Sequence, residues 1–439
     1  MSLPFGFGLP DPDRPGGPSG PFDMNNLGAM LQQFGQMLQN TGTDTGPVNW
    51  SMVNDVARKA LAEQGDPSVG EAETRAVVEA VRLADVWLDE ATTLPAISTP
   101  PAAWSRAEWL DATLPMWQSY VQPIAEHIAA MTTGMFPQGG AELSAEDLEA
   151  QLPEQLRGML PGGIPADMLA MLQPMMGMMR QLGAVSFSMQ LGQSLAGLAR
   201  EVVSLGDIGI PLVDRSLAVL IPTNIETLGE GLGVSRDDVR LYLALRESAH
   251  ERLFAHVPWL RARMIGAIEE YARGIRVDNE RLNEAMSGID PSNPGSFEEL
   301  LGSGLLQPQD TEEQRAARAR LETLLALVEG WVDDVVAAAI GDRLPSAGAL
   351  QETMRRRRAA GGPAEKTFST LIGMELRPRM LREAATLFAA VRSADGISGR
   401  DALWGHPDLL PSAEDLADPL GFVESSRLEF PGLDESDEG

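Results

Sequence analysis

The sequence contains no cysteine in its 439 residues. Disulfides, thiolate zinc sites and a cysteine nucleophile are therefore excluded. Histidine is nearly as scarce: His127, His250, His256 and His406 are the full set. Metal and acid–base chemistry must draw on those four and on carboxylates. Positive charge is also short. Lys and Arg number 34 against 63 Asp and Glu, for a net charge of -29. Phosphate binding needs a basic face, so this balance argues against a nucleic-acid partner. It favours solubility and cationic partners instead. No run of about 20 apolar residues exists, and no transmembrane helix is expected. The first residues hold Pro, Gly and Asp where a signal peptide would carry its apolar run, so the cytoplasm is the expected location. There is no G-x-S-x-G elbow of a serine hydrolase. Gly361-Gly362 and Lys366 have neither the spacing nor the preceding strand of a phosphate loop.

The hydrophobic share, 44%, is that of a globular protein long enough for two or three domains. Residues 1–46 are rich in Gly, Pro, Asn, Gln and Phe and read as disordered, with one amphipathic stretch from Met24 to Leu38. Residues 47–420 form the body. Its apolar residues recur at helical spacing, so the expected class is mainly α, α+β at most. Short strands are expected only at Ala184–Phe187 and Gly209–Val213. Within the body, residues 133–182 hold Gly and Pro pairs and a methionine cluster, which suit an inserted helical hairpin, a lid or a pliable binding surface. Residues 421–439 form an acidic tail. Ser105 is a candidate N-cap, and Pro115 is expected to interrupt the helix that follows. Ser235-Arg236-Asp237-Asp238 is a strong helix start. That helix should stop near His256, before Pro258. A long helix is expected over 311–341. The basic run Arg355-Arg356-Arg357-Arg358 suits a solvated helix face or internal partners for carboxylates better than a phosphate patch.

Arg246-Glu247-Ser248-Ala249-His250 stands where a zinc-peptidase helix would read H-E-x-x-H. In that motif two His, four residues apart, share one helix face and bind zinc, and the Glu is the general base. Here the first His is Arg, whose guanidinium has no lone pair to give. His256 points to another helix face, and could join such a site only if the helix ended near Phe254. Glu251 is about 100° off the His250 face.

The run Ile221-Pro222-Thr223-Asn224-Ile225, then Asp237–Arg240, Leu245–His250 and Val257-Pro258-Trp259-Leu260-Arg261, resembles an actinobacterial family of zincin-like metallopeptidases. That family is also labelled as associated with deazaflavin-cofactor biosynthesis. Leu324–Val332 is similar to its L-L-E-G-H segment, and Leu371–Phe388 and Trp404–Leu410 to its C-terminal signatures. The resemblance covers about Pro47 to Asp418. It implies a zincin-like fold with Glu247 as general base, His250 as second zinc ligand and Glu329 as third. Arg246 and Trp331 stand where the family has His. The implied protein has a degraded zinc site, is non-catalytic, and binds a peptide or protein in the former substrate cleft. The alternative is an active metal-dependent hydrolase with rearranged ligands, His256 or Glu251 among them. No cofactor is expected, and zinc only if the site is rebuilt.

Overall fold

The computed structural model describes residues 46–134, 166–274, 311–359, 367 and 380–429. The expected helix at Met24–Leu38 and most of 133–165 lie outside them. The described chain is mainly α, as expected. Its helices are α1 (Trp50–Gln64), α2 (Glu71–Leu88), α3 (Arg106–Gly134), α4 (Ala166–Glu201), α5 (Pro222–Gly229), α6 (Arg236–His256), α7 (Pro258–Arg273), α8 (Glu312–Ile340), α9 (Ala347–Ala359), α10 (Leu381–Ala402), α11 (Ala413–Ala417) and α12 (Pro419–Glu429). Two compact units are distinguished. One comprises residues 1–53, 125–189 and 276–309, and the other 54–124, 190–275 and 310–439. In the first, the Asn49 N–H donates to Ser188 Oγ over 2.9 Å.

In the second unit, α8 packs against α10, α7 and α6, and α2 packs against α6. Local chemistry sets the ends of these helices. Ser235 caps α6 by accepting from the Asp238 N–H at 3.1 Å, and Asp237 and Asp238 sit at the positive end of the helix dipole. Pro258 ends α6 and opens α7. Thr311 and Gln314 close a capping box on α8. Ser105 and Glu108 do the same for α3, at 2.8 and 3.2 Å.

Two expectations need correction. First, α3 does not stop at Pro115; it runs through Pro115 and Pro123. An interior proline costs ~3 kcal/mol. Continuing the helix beyond Pro115 buries Met116, Trp117, Tyr120, Val121 and Ile124, each worth about 1.5–3 kcal/mol. Burial wins. Second, Ala184–Phe187 is helical, inside α4, because the apolar spacing continues into Leu191, Leu195 and Leu198, all buried. Gly209–Val213 is irregular loop, turning at Gly209 with φ +76°. The strands are β1 (Ala102–Ala103) and β2 (Val219–Leu220), parallel, with Ala102 opposite Val219. The stretch from residue 421, expected as an acidic tail, begins inside α12, which extends to Glu429.

The loop before β2 also pairs with it. The Leu205 N–H donates to Val219 O at 3.2 Å and the Ile221 N–H to Val203 O at 2.9 Å. This antiparallel pairing sets Gly206 against the middle of α6, where its N–H meets Glu247.

Candidate functional site

Helix α6 is buried almost all round from Val239 to Leu253, and its buried stretch includes Arg246, Glu247, Ser248, His250, Glu251 and Arg252. Buried charges must be paired or bonded. The helix meets that demand by tying these side chains to different elements. Arg252 reaches Leu94 O at 3.1 Å, Asp85 at 3.1 Å and Asp89 at 2.8 Å. Glu251 accepts from the Leu217 N–H at 2.9 Å.

Glu247, in the general-base position, is fully buried. Its Oε2 accepts from the Gly206 N–H at 2.8 Å and its Oε1 from the Val219 N–H at 3.0 Å. Both oxygens thus hold backbone of the loop and of β2. Burial raises its pKa against those bonds and the bond to Ser204. Burial, together with the charge of Glu247, raises Glu251 well above the usual carboxylate range.

His250 and Glu329 are brought together, as the resemblance implies. His250 Nε2 lies 2.9 Å from Glu329 Oε1, and Nδ1 lies 2.8 Å from the Arg246 carbonyl oxygen. Arg246 joins them. Its Nη2 donates to Glu329 Oε2 at 2.6 Å and its Nη1 to Asp333 Oδ1. Arg358 Nη1 lies 2.5 Å from Glu329 Oε1, and Arg355 Nε donates to Asp333 Oδ2 at 3.0 Å. Arg357 grips both oxygens of Asp207 at 2.8 and 2.9 Å. Three arginines of the basic run are therefore internal partners of carboxylates, and Arg356 alone of the four pairs on the surface, with Glu352. Burial alone would raise the Glu329 pKa, but Arg358, His250 and Arg246 lower it to about 2. Burial would lower the Arg246 pKa, and Asp333, Tyr242 and Glu329 raise it instead.

The loop closes tightly over this cluster. A Cβ at Gly206 would lie 2.8 Å from the Cβ of His250, and one at Gly209 would lie 3.0 Å from Glu329 Oε1. The cavity left beside Arg246, Glu329 and Asp333 holds about 10 Å³, room for roughly one water.

Two expected members are not in the cluster. Helix α6 continues to His256, which is exposed and meets the Pro95 carbonyl at 3.0 Å. It cannot stand in as a ligand. Trp331, which stands where the family has His, faces away from the cluster. Two residues beyond Glu329, it lies about 200° around α8, donates to Asp401 Oδ1 at 2.9 Å and sits under Arg400 and edge-on to Trp404. His406 is an exposed loop residue whose Nδ1 accepts from the Asp408 N–H. Asp333 was missed, although it is one turn beyond Glu329 on the same helix face, a signal present in the spacing. Asp207 gave no local signal.

A catalytic zinc needs three protein ligands and an open position. The donors here are His250 and Glu329, with guanidinium groups of Arg246 and Arg358 against the same carboxylate. Among the described residues no group of three His, Asp or Glu is placed to hold a metal. This donor set does not fit such a zinc.

No curated protein matches the sequence. A crystal structure of a candidate hydrolase with a novel fold, from Chloroflexus aurantiacus, is similar in fold. The TM-score is 0.57 at 19% identity, covering 88% of this chain and all of that one. Among the described residues no helix is long and apolar enough to cross a membrane. The sequence matches the family described as zincin-like metallopeptidase over residues 48–423. That match spans both the H-E-x-x-H counterpart on α6 and Glu329 on α8, and it runs through most of the chain: the protein belongs to the zincin-like metallopeptidase family.

Proposed function

We propose that this chain is a member of that family whose zinc site has given way to an internal ion network, and that it acts by binding a peptide or protein rather than by cleaving one. One observation carries the reading: Arg246 stands at the first ligand position and bonds Glu329, the third. A dication removed from between carboxylates leaves charge that is costly to bury. A permanent guanidinium cation offsets that charge and supplies neither Lewis acidity nor an activated water. The two backbone bonds of Glu247 support the same reading, since each of its oxygens accepts from a backbone N–H of the loop or of β2. The net charge of -29 favours a cationic partner.

Elemental analysis of the purified, dialysed protein is the test. The expected zinc content is far below one per chain, and a chelator should leave the melting temperature unchanged. About one zinc per chain, with peptide hydrolysis lost on chelation, would overturn the reading in favour of an active hydrolase with rearranged ligands.

A further inference from the structure

The cluster around Glu329 leaves a cavity of about 10 Å³, which admits roughly one water and no side chain of a partner. More room lies at the other end of α6. A groove of about 360 Å³ runs there between the first turns of α6 and helix α5, within the range of roughly 300–1,000 Å³ that binding pockets span. Its floor is apolar: Ile225 and Val239 are buried, and Pro222 and Val234 are half-buried. Its rim is charged and does not balance. Arg236 pairs with Glu226, and Arg240 pairs with Asp237, so both cations that line the groove are matched. Glu73 and Glu230 line it too. Glu73 uses one oxygen on the Gly70 N–H, and the exposed Glu230 has no side-chain partner among the described residues. Two carboxylates without a counter-cation among those residues therefore stand over an apolar floor.

We propose that this groove docks a basic peptide segment, with a Lys or Arg next to an aliphatic residue. A long basic side chain lays its stem along apolar surface and keeps its charged head at the edge, which matches this floor and this rim. The head meets Glu230 and Glu73, and the aliphatic neighbour lies against Ile225 and Val239. An acidic segment would be repelled by the unmatched carboxylates and by the net charge of -29. The proposal rests on the reading of the chain as a peptide or protein binder, and it gives that reading a surface and a partner chemistry.

The test puts the full-length protein on an array of immobilised, end-capped hexapeptides that varies charge and aliphatic content. Binding should concentrate on peptides with Lys or Arg beside Leu, Ile or Val. Glu230→Lys should weaken that binding by about tenfold or more. Gly229→Leu should do the same without changing charge. A Cβ at Gly229 meets Val239 Cγ2 at 3.8 Å, an ordinary contact, so the added side chain occupies the groove without strain. Glu424→Lys makes the same charge change on α12, at an exposed position, and should bind like the parent. Equal losses in Glu424→Lys and Glu230→Lys would reduce the effect to overall attraction and overturn the proposal. So would a preference for acidic peptides, or a dimer that Glu230→Lys dissociates, which would give the groove to a second copy. Basic peptides that bind the parent and both groove variants equally would overturn the groove and leave the peptide-binding reading standing. If no peptide binds, both fail.

Discussion

Arg246 Nη2 lies 2.6 Å from Glu329 Oε2, so a cation on α6 meets a carboxylate on α8 where two zinc ligands would converge. The pair is buried on both sides, at 4% and 3% exposure. Removing one partner of such a pair strands the other in a medium that solvates charge poorly. Arg246→Ala should therefore cost about 3–5 kcal/mol of stability, far more than a surface pair would. Urea unfolding of parent and variant measures this. A loss within ~0.5 kcal/mol, the range of surface substitutions, would mean that the network contributes little.

The loop over the cluster gives a second expectation. Gly206 has room for no side chain: a Cβ there meets the Cβ of His250 at 2.8 Å and Glu247 Oε2 at 3.0 Å. The near atom of His250 sits next to the α6 backbone and cannot swing aside as the tip of a long side chain could. Gly206→Ala should cost about 1–3 kcal/mol by overpacking. Thermal melting should show a clearly lowered midpoint. An unchanged midpoint would mean that the loop at Gly206 lifts off α6 at little cost.

Much of this site could be read in the sequence, and the failures have physical causes. The α6 boundaries followed from Ser235 and Pro258 because caps and prolines act locally. The meeting of His250 with Glu329 followed from the family resemblance. Trp331 stands where the family has His, and helix geometry sets it about 200° from Glu329, on another face of α8. The internal pairing of Arg357 with Asp207 spans 150 residues, and no local pattern encodes such a contact. Glu247 was assigned a chemical role by its motif. Its bonds to the backbone of Gly206 and Val219 depend on a loop conformation that only the packed structure reveals.

Stability should depend on pH in two opposite ways. Folding lowers the Glu329 pKa to about 2, from an unfolded value of about 4.3. Its contribution is therefore fully present above about 4.3 and is lost as pH falls towards 2. Asp207, lowered by Arg357 and Arg358 against its burial, acts in the same direction. Glu251 is raised by burial and by Glu247, so folding holds its proton more tightly. Its effect is to weaken stability as pH climbs from the unfolded value through the folded one. Urea midpoints across pH 2–8 should show both limbs. Glu329→Gln should flatten the acid limb, and Glu251→Gln should flatten the decline on the other side. Identical profiles for parent and variants would refute both assignments.

The last expectation reverses the replacement. Residues 246 and 250 are one turn apart on one face of α6, so Arg246→His would present two imidazoles side by side. Glu329, already 2.9 Å from His250 Nε2, would be the third ligand. His250 Nδ1 lies 2.8 Å from the Arg246 carbonyl oxygen, and a bond of this kind commonly orients a zinc-binding imidazole through its other nitrogen. Arg358 remains beside Glu329 and opposes the metal, so recovery should be partial. Zinc titration should nonetheless give measurable binding in Arg246→His and little in the parent. Trp331→His is the contrast. That residue faces Asp401 and Trp404 on the far side of α8, and its substitution should add no zinc affinity. If Arg246→His binds no better than the parent, or Trp331→His binds equally well, then His250 and Glu329 are not the remains of a zinc site, and their closeness reflects helix packing alone.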